Sequence, residues 1–220
     1  MPYSRLDLDQ IKDDLKFLLK EFGKPRVGWH DPNFGVNFNE IMDAIEEAVP
    51  PGSIDFMAEC SLSMLSEANL RRLSRNGFKA IVAGIESWYC LGNKASAGKL
   101  EGMEKVIHVS EHINSILRHV PVVQANFVFG LDSDAGPEPF ELTKRFVDLT
   151  PGAFPAYCML TSFGQAVPIN AEYHRQKRIL PLPFHFLSNW NPNVKPKNYP
   201  WTEFYDYVLD VTKYTFSWSS

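Results

Sequence analysis

The sequence predicts an α/β protein built on a parallel sheet, and three observations carry that prediction. Strand-like apolar runs alternate strictly with helix-patterned segments, and such alternation builds parallel sheets through right-handed crossovers. Phe78 to Ile85 is a continuous apolar run, the pattern of a parallel strand covered on both faces. Five strand-like runs stop at polar clusters and are each followed by a helical stretch: His30-Asp31-Pro32-Asn33, Glu59-Cys60-Ser61, Glu86-Ser87, Gly130-Leu131-Asp132 and Thr161-Ser162. Strand ends of one kind lie on one side of a parallel sheet, so these clusters are expected to face a single site.

The elements follow in order. Ser4-Arg5-Leu6-Asp7 reads as a capping box, and Leu8, Ile11, Leu15, Leu18, Leu19 and Phe22 follow at helical spacing until Gly23 and Pro25 stop the helix. Arg26 to Trp29 is a short strand, and Phe38 to Val49 is a helix ended by Pro50-Pro51-Gly52. Ile54 to Ala58 is a strand, and Glu67 to Arg75 is a helix opened by Ser66 and closed by Asn76-Gly77. After the strand Phe78 to Ile85 comes a Gly/Lys/Ser-rich loop, then a long helix to about His119. Strand Val120 to Phe129, loop Asp132 to Pro139, helix Phe140 to Leu149, strand Phe154 to Leu160 and a helix over Ala171 to Lys177 complete the alternation. Leu180 to Pro200 is Pro- and Asn-rich, an ordered loop over a face with Trp190, Tyr199 and Trp201 in packing roles, and Thr202 to Phe216 is an amphipathic helix. The chain begins with a helix, so the first strand of the alternation is missing.

Composition bounds the function classes. At 220 residues, 45% hydrophobic and 22% charged, the chain can bury one core without disulfides or metal. A net charge of -4 gives no footprint for nucleic acid, and Arg71, Arg72 and Arg75 read as a solvated helix face. No apolar run reaches the ~20 residues of a membrane span, and no signal pattern opens the chain, so a cytoplasmic protein is expected. Cys60, Cys90 and Cys158 are far apart and form no CxxC. Each fits the role of a small buried hydrophobe, while Cys60, at a strand end among polar neighbours, is also a candidate reactive thiol.

The strand ends supply Asp31, Asn33, Glu59, Ser61, Glu86, Ser87 and Asp132, a set rich in acceptors and hydroxyls with no basic member. It suits a ligand with an ammonium and a ribose and suits phosphate poorly. Such junctions favour Asp, Asn and Ser as helix caps in any case, but acidic residues at successive strand ends have no capping reason. His108-Val109-Ser110-Glu111-His112 is an H-x-x-E-H, an inverted zinc-peptidase spacing. The helix stripe of Met103, Val106, Ile107, Ile113, Ile116, Leu117 and Val120 places those histidines on the opposite, wet face, which argues against a zinc hydrolase. The glycines from Gly92 to Gly102 form neither a GxGxxG nor a P-loop, and no Gly-x-Ser-x-Gly elbow exists.

The run of strand-end motifs resembles the radical S-adenosylmethionine (SAM) superfamily, in particular its cobalamin-associated branch. The segments that carry the resemblance are Asp31-Pro32-Asn33-Phe34, Ala58 to Ser61, Leu73 to Lys79 leading to Gly84-Ile85-Glu86-Ser87, Phe127 to Asp132, and Leu160 to Pro168 with Phe163 and Gly164 kept, and it spans roughly Ser4 to Tyr173. It implies a partial TIM-like (β/α)6 barrel over residues 1–180, with 181–220 as a loop and helix packed on it. It further implies that Glu86 and Ser87 bind the ribose or methionine part of SAM, that Asp31, Asn33, Glu59 and Ser61 line the same mouth, and that Gly130 and Asp132 shape the adenine side. In the family, a [4Fe-4S] cluster cleaves SAM reductively to a radical that abstracts hydrogen from substrate, and this branch is often fused to a cobalamin-binding domain, which makes cobalamin a candidate further cofactor.

The sequence departs from the family where the cluster is held, since it contains no C-x-x-x-C-x-x-C. The expectation is therefore a chain inactive alone, for want of the cluster ligands, and a core fragment of a radical SAM enzyme, since Met1-Pro2-Tyr3 leads straight into a capped helix. The rival is a degenerate, non-catalytic SAM- or small-molecule-binding barrel. Without a first strand, Arg26 to Trp29 becomes an exposed edge, and self-association through it is expected. The substrate is not legible.

Overall fold

The computed structural model describes residues 7–30, 34–162, 168–186 and 191–217. Among them lie seven α-helices, α1 (Leu8–Phe22), α2 (Phe38–Ala48), α3 (Glu67–Arg75), α4 (Gly102–Leu117), α5 (Glu138–Leu149), α6 (Pro168–Arg175) and α7 (Trp201–Phe216). Five strands alternate with them: β1 (Arg26–Trp29), β2 (Asp55–Cys60), β3 (Phe78–Glu86), β4 (Val122–Phe129) and β5 (Phe154–Met159). The strands form one parallel sheet in the order β1-β2-β3-β4-β5, with helices between them. No helix of the described residues is long and apolar enough to cross a membrane.

The chain divides into two compact units, Met1–Gly84 with Glu111–Gln124 and Gly152–Phe154, and Ile85–Ser110 with Ala125–Pro151 and Pro155–Ser220. In the first unit α1 packs on α2, tied by Lys12 Nζ to Glu47 at 2.7 Å. The cap of α1 falls later than expected: Asp7 accepts from the amides of Asp9 and Gln10, and Ser4 lies outside the described residues. Of the expected α1 stripe only Leu15 is buried, and Phe22 is 66% exposed. α2 buries Phe38, Ile41, Met42, Ala44 and Ile45. Against it stand Phe34, Phe56 and Phe78, with the rings of Phe56 and Phe78 stacked at 5.0 Å. Gly77 ends the α3 turn at φ 92°, where an added Cβ would meet Ile54 O at 2.3 Å. Only glycine fits such a turn.

Arg72 is not on a solvated face. Its guanidinium bonds both oxygens of Glu46 at 2.9 Å and also reaches Asp43, so α3 is clamped to α2. Arg75 and Asn76 bond the same carboxylate, and these partners hold Glu46 down at about 2 against burial.

The second unit is organised around Trp88, Phe127, Phe146 and Tyr157, whose ring centroids lie 5.3–6.0 Å apart. α7 buries Phe204, Val208 and Val211 and lies along α5, joined by Lys144 to Asp210 and by Tyr214 to Asp148. In the described part of the tail, Leu180 N donates to Asn193 O, Lys195 N to Arg178 O, and the buried Tyr199 donates its hydroxyl to Gly136 O. Trp190 lies outside the described residues.

Burial alternates along β2 to β5. In β3, Phe78, Ile81, Ala83 and Ile85 are buried, while Ala80, Val82, Gly84 and Glu86 are half-buried and Lys79 is exposed. The continuous apolar run therefore does not mark a strand covered on both faces. Its second face carries Ala80, Val82 and Gly84, apolar residues that are only half-buried.

Candidate functional site at the strand ends

In the second unit β3 ends in a strained turn. Glu86 has φ 67° and Ser87 N donates to Ile85 O at 2.9 Å, the geometry of the rare three-residue γ-turn. Such a conformation costs about 1–3 kcal/mol at a residue with a side chain and persists only when its surroundings over-determine it. They do so here. Lys105, fully buried, donates Nζ to the carbonyls of Ser87 and, at 2.7 Å, of Cys90. Gly102 N donates to Trp88 O at 3.0 Å, and Trp88 Nε1 donates to Thr143 Oγ1 at 2.9 Å. Burial pushes the Lys105 ammonium down, opposed by the charges of Cys90, Glu101 and Glu86. The Glu86 carboxylate, 15% exposed, is paired with Lys94 of the following loop, in which Leu91, Ser96 and Gly98 are also left-handed.

The end of β4 is held by Asp134. Its Oδ2 accepts from the amides of Gly130 and Leu131 at 3.1 Å each, and Ser87 Oγ lies 3.5 Å from its Oδ1. Asp134 thus brings together two of the residues expected at the site, Ser87 and Gly130. Desolvation pushes its carboxyl up to about 6, opposed by those amides and by Ser133 and Ser87. Asp132 is engaged elsewhere: both its oxygens meet the Arg178 guanidinium, at 2.8 and 3.0 Å. Arg178 also donates to Lys195 O, so this fork fixes the tail to the β4 turn. At the end of β5, Asn193 bonds both the amide and the carbonyl of Ser162.

In the first unit Glu59 is half-buried one residue before the end of β2, with His30 Nδ1 3.1 Å from its Oε1. Ser61 leads into the 3-10 turn Leu62–Met64 and makes no capping bond with its side chain. Asp31 and Asn33 lie outside the described residues. Burial pushes the Cys60 thiol up to about 12 and that of Cys158 upward, the latter helped by the charge of Glu86. Thiolate is the reactive and metal-binding form, so Cys60 does not suit the reactive role.

α4 is rotated from the expected phase. Its buried face is Lys105, Val106, Val109, Ser110, Ile113 and Ile116, whereas Met103 and Ile107 are 45% and 48% exposed. His108 and His112 are half-buried, with Nε2 of each bonded to a backbone carbonyl, of Ser96 and of Leu65 respectively. Among the described residues no group of three or more His, Cys, Asp or Glu is placed to hold a metal.

Sequence reasoning missed Lys94, Lys105, Asp134, Arg178 and Asn193. For Asp134 a signal existed, since Asp in a Gly-initiated turn commonly bonds nearby amides. A lysine on an amphipathic helix reads as solvated, so Lys105 had none. A scan against protein-family models and a search of the curated proteins find no match to this chain.

Proposed function

We propose that this chain is the core of a radical SAM protein with a partial (β/α)6 barrel, and that it binds SAM at the carboxyl ends of its strands. The sequential order of five parallel strands supports the barrel. Right-handed crossovers that always step the same way put all their helices on one face, as in barrels, whereas doubly wound sheets reverse.

The observation that carries the binding reading is the Glu86 turn. Backbone strain held in place by a buried lysine and a buried tryptophan is the usual mark of a residue kept for a ligand. The Glu86 carboxylate already pairs with a primary ammonium, that of Lys94, and the methionyl part of SAM carries the same group. Ser87, buried against Asp134, and Gly130 hold the backbone beside it. Asp132, taken up by Arg178, acts by fixing the turn.

The [4Fe-4S] cluster that the resemblance implies does not fit the cysteines present, which lie on separate elements with two thiols pushed upward by burial. No redox step is therefore assigned to these residues, and what the chain itself does is bind. This scattered set of thiols favours the second reading, a non-catalytic SAM- or small-molecule-binding module, over a self-sufficient enzyme.

Isothermal titration of the folded chain with SAM is the test. Saturable binding is expected, weakened about tenfold or more in Glu86→Ala, because a charge-assisted hydrogen bond is worth ~1.5–3 kcal/mol. A folded chain that takes up no SAM removes the reading.

A further inference from the structure

A second cavity, of about 430 Å³, opens at the other end of the strands, within the first unit. Its lining includes Arg26, Asp55, Met57, Lys79, Ala80 and Val122. Its size is that of a small-molecule site. Arg26, Asp55 and Val122 are the first residues of β1, β2 and β4. Lys79 is the extra residue of a bulge: β2 and β3 pair Phe56 with Phe78 and then Met57 with Ala80. Bulges of this kind re-aim a side chain and gather near functional sites.

The charges around the cavity are unbalanced. Arg26 and Lys79 are exposed, and neither side chain has a hydrogen bond or ion pair among the described residues. Asp55 Oδ1 is buried and accepts no hydrogen bond, with Lys24 Nζ 3.6 Å away. The rest of the lining is apolar, and Val122 stands 50% exposed in it. Two unpaired cations in a chain of net charge -4, beside a carboxylate oxygen that has a long ion pair but no hydrogen bond and above an apolar floor, define a ligand.

We propose that this cavity binds a small apolar carboxylic acid carrying a hydrogen-bond donor next to its carboxylate, that is, a 2-amino or 2-hydroxy acid. Arg26 and Lys79 hold the carboxylate, the guanidinium by a two-point fork. Asp55 Oδ1 accepts from the amino or hydroxyl group, and the side chain lies on Met57, Ala80 and Val122, which share one face of the sheet. The site is separate from the Glu86 turn and does not depend on the SAM reading.

The test is an NMR titration of the intact chain with three probes: L-leucine, 2-hydroxy-4-methylpentanoate and 4-methylpentanoate, which lacks the donor. Saturable shifts of the Val27, Gly28, Met57 and Ala80 amides are expected with leucine or the hydroxy acid, about tenfold weaker with 4-methylpentanoate. Arg26→Gln and Lys79→Gln, both at exposed positions, should each weaken binding about tenfold with an unchanged spectrum elsewhere. Leucine and the hydroxy acid are distinguished by which binds more tightly. Overturning results are the absence of saturable shifts at these amides with any probe, equal affinity for the donor-free acid, or full affinity in both variants.

Discussion

Asp134 carries a carboxyl pushed up to about 6, above its ordinary 3.8, by its burial. Such a group binds its proton more tightly in the folded chain than in the unfolded one. Its contribution to stability is therefore complete below about pH 4 and is lost as pH rises through 6. Asp134→Asn removes the titration and keeps one acceptor for the Gly130 and Leu131 amides. Urea denaturation from pH 4 to 7 should show the unaltered chain losing about 1–2 kcal/mol relative to the variant across that interval. Parallel profiles would mean that the carboxyl does not titrate there. The residue also marks what sequence leaves unread. Its neighbours Gly130 and Asp132 were legible as a polar strand end, but which carboxylate caps the turn and which pairs with Arg178 is decided by side-chain packing.

At the scale of elements, period and punctuation were sufficient for β1 and α3, whose bounds match the sequence reading. They failed for the orientation of α4. The Val106, Val109, Ile113, Ile116 stripe was flanked on both sides by further apolar residues, and Lys105 hid the true flank. The α3–α2 contact is a second case, because an arginine that anchors a neighbouring helix looks like any surface arginine. Glu46 gives that contact a measurable signature. Held at about 2, it stabilises the fold above its ordinary 4.5, and this contribution is lost as pH falls towards 2. With its side chain a quarter exposed, solvent screening reduces the value. Glu46→Gln should cost about 1–2 kcal/mol at pH 7 in urea denaturation, and the cost should shrink below pH 3. A cost independent of pH would assign the effect to packing.

For the whole molecule, strict β/α alternation made the parallel sheet legible, and the sequential strand order follows from short right-handed crossovers between neighbours. The consequence lies at its edge. β1 is the terminal strand of the sheet, with no second neighbour among the described residues. Asp55 N donates to Pro25 O, and parallel pairing alternates from there, so the Arg26 and Gly28 amides point away from β2. Unpaired amides in a row are a template for another chain, while the shortness of β1 and the charge of Arg26 blunt it. Self-association through this edge should be weak and concentration-dependent in sedimentation velocity. Gly28→Pro removes one outward donor at a position with negative φ, where proline is tolerated on an edge strand. If the edge is the contact, the variant sediments as a monomer at concentrations where the unaltered chain associates. Equal association of the two would place the contact elsewhere, and the charged, four-residue edge would then be protection enough.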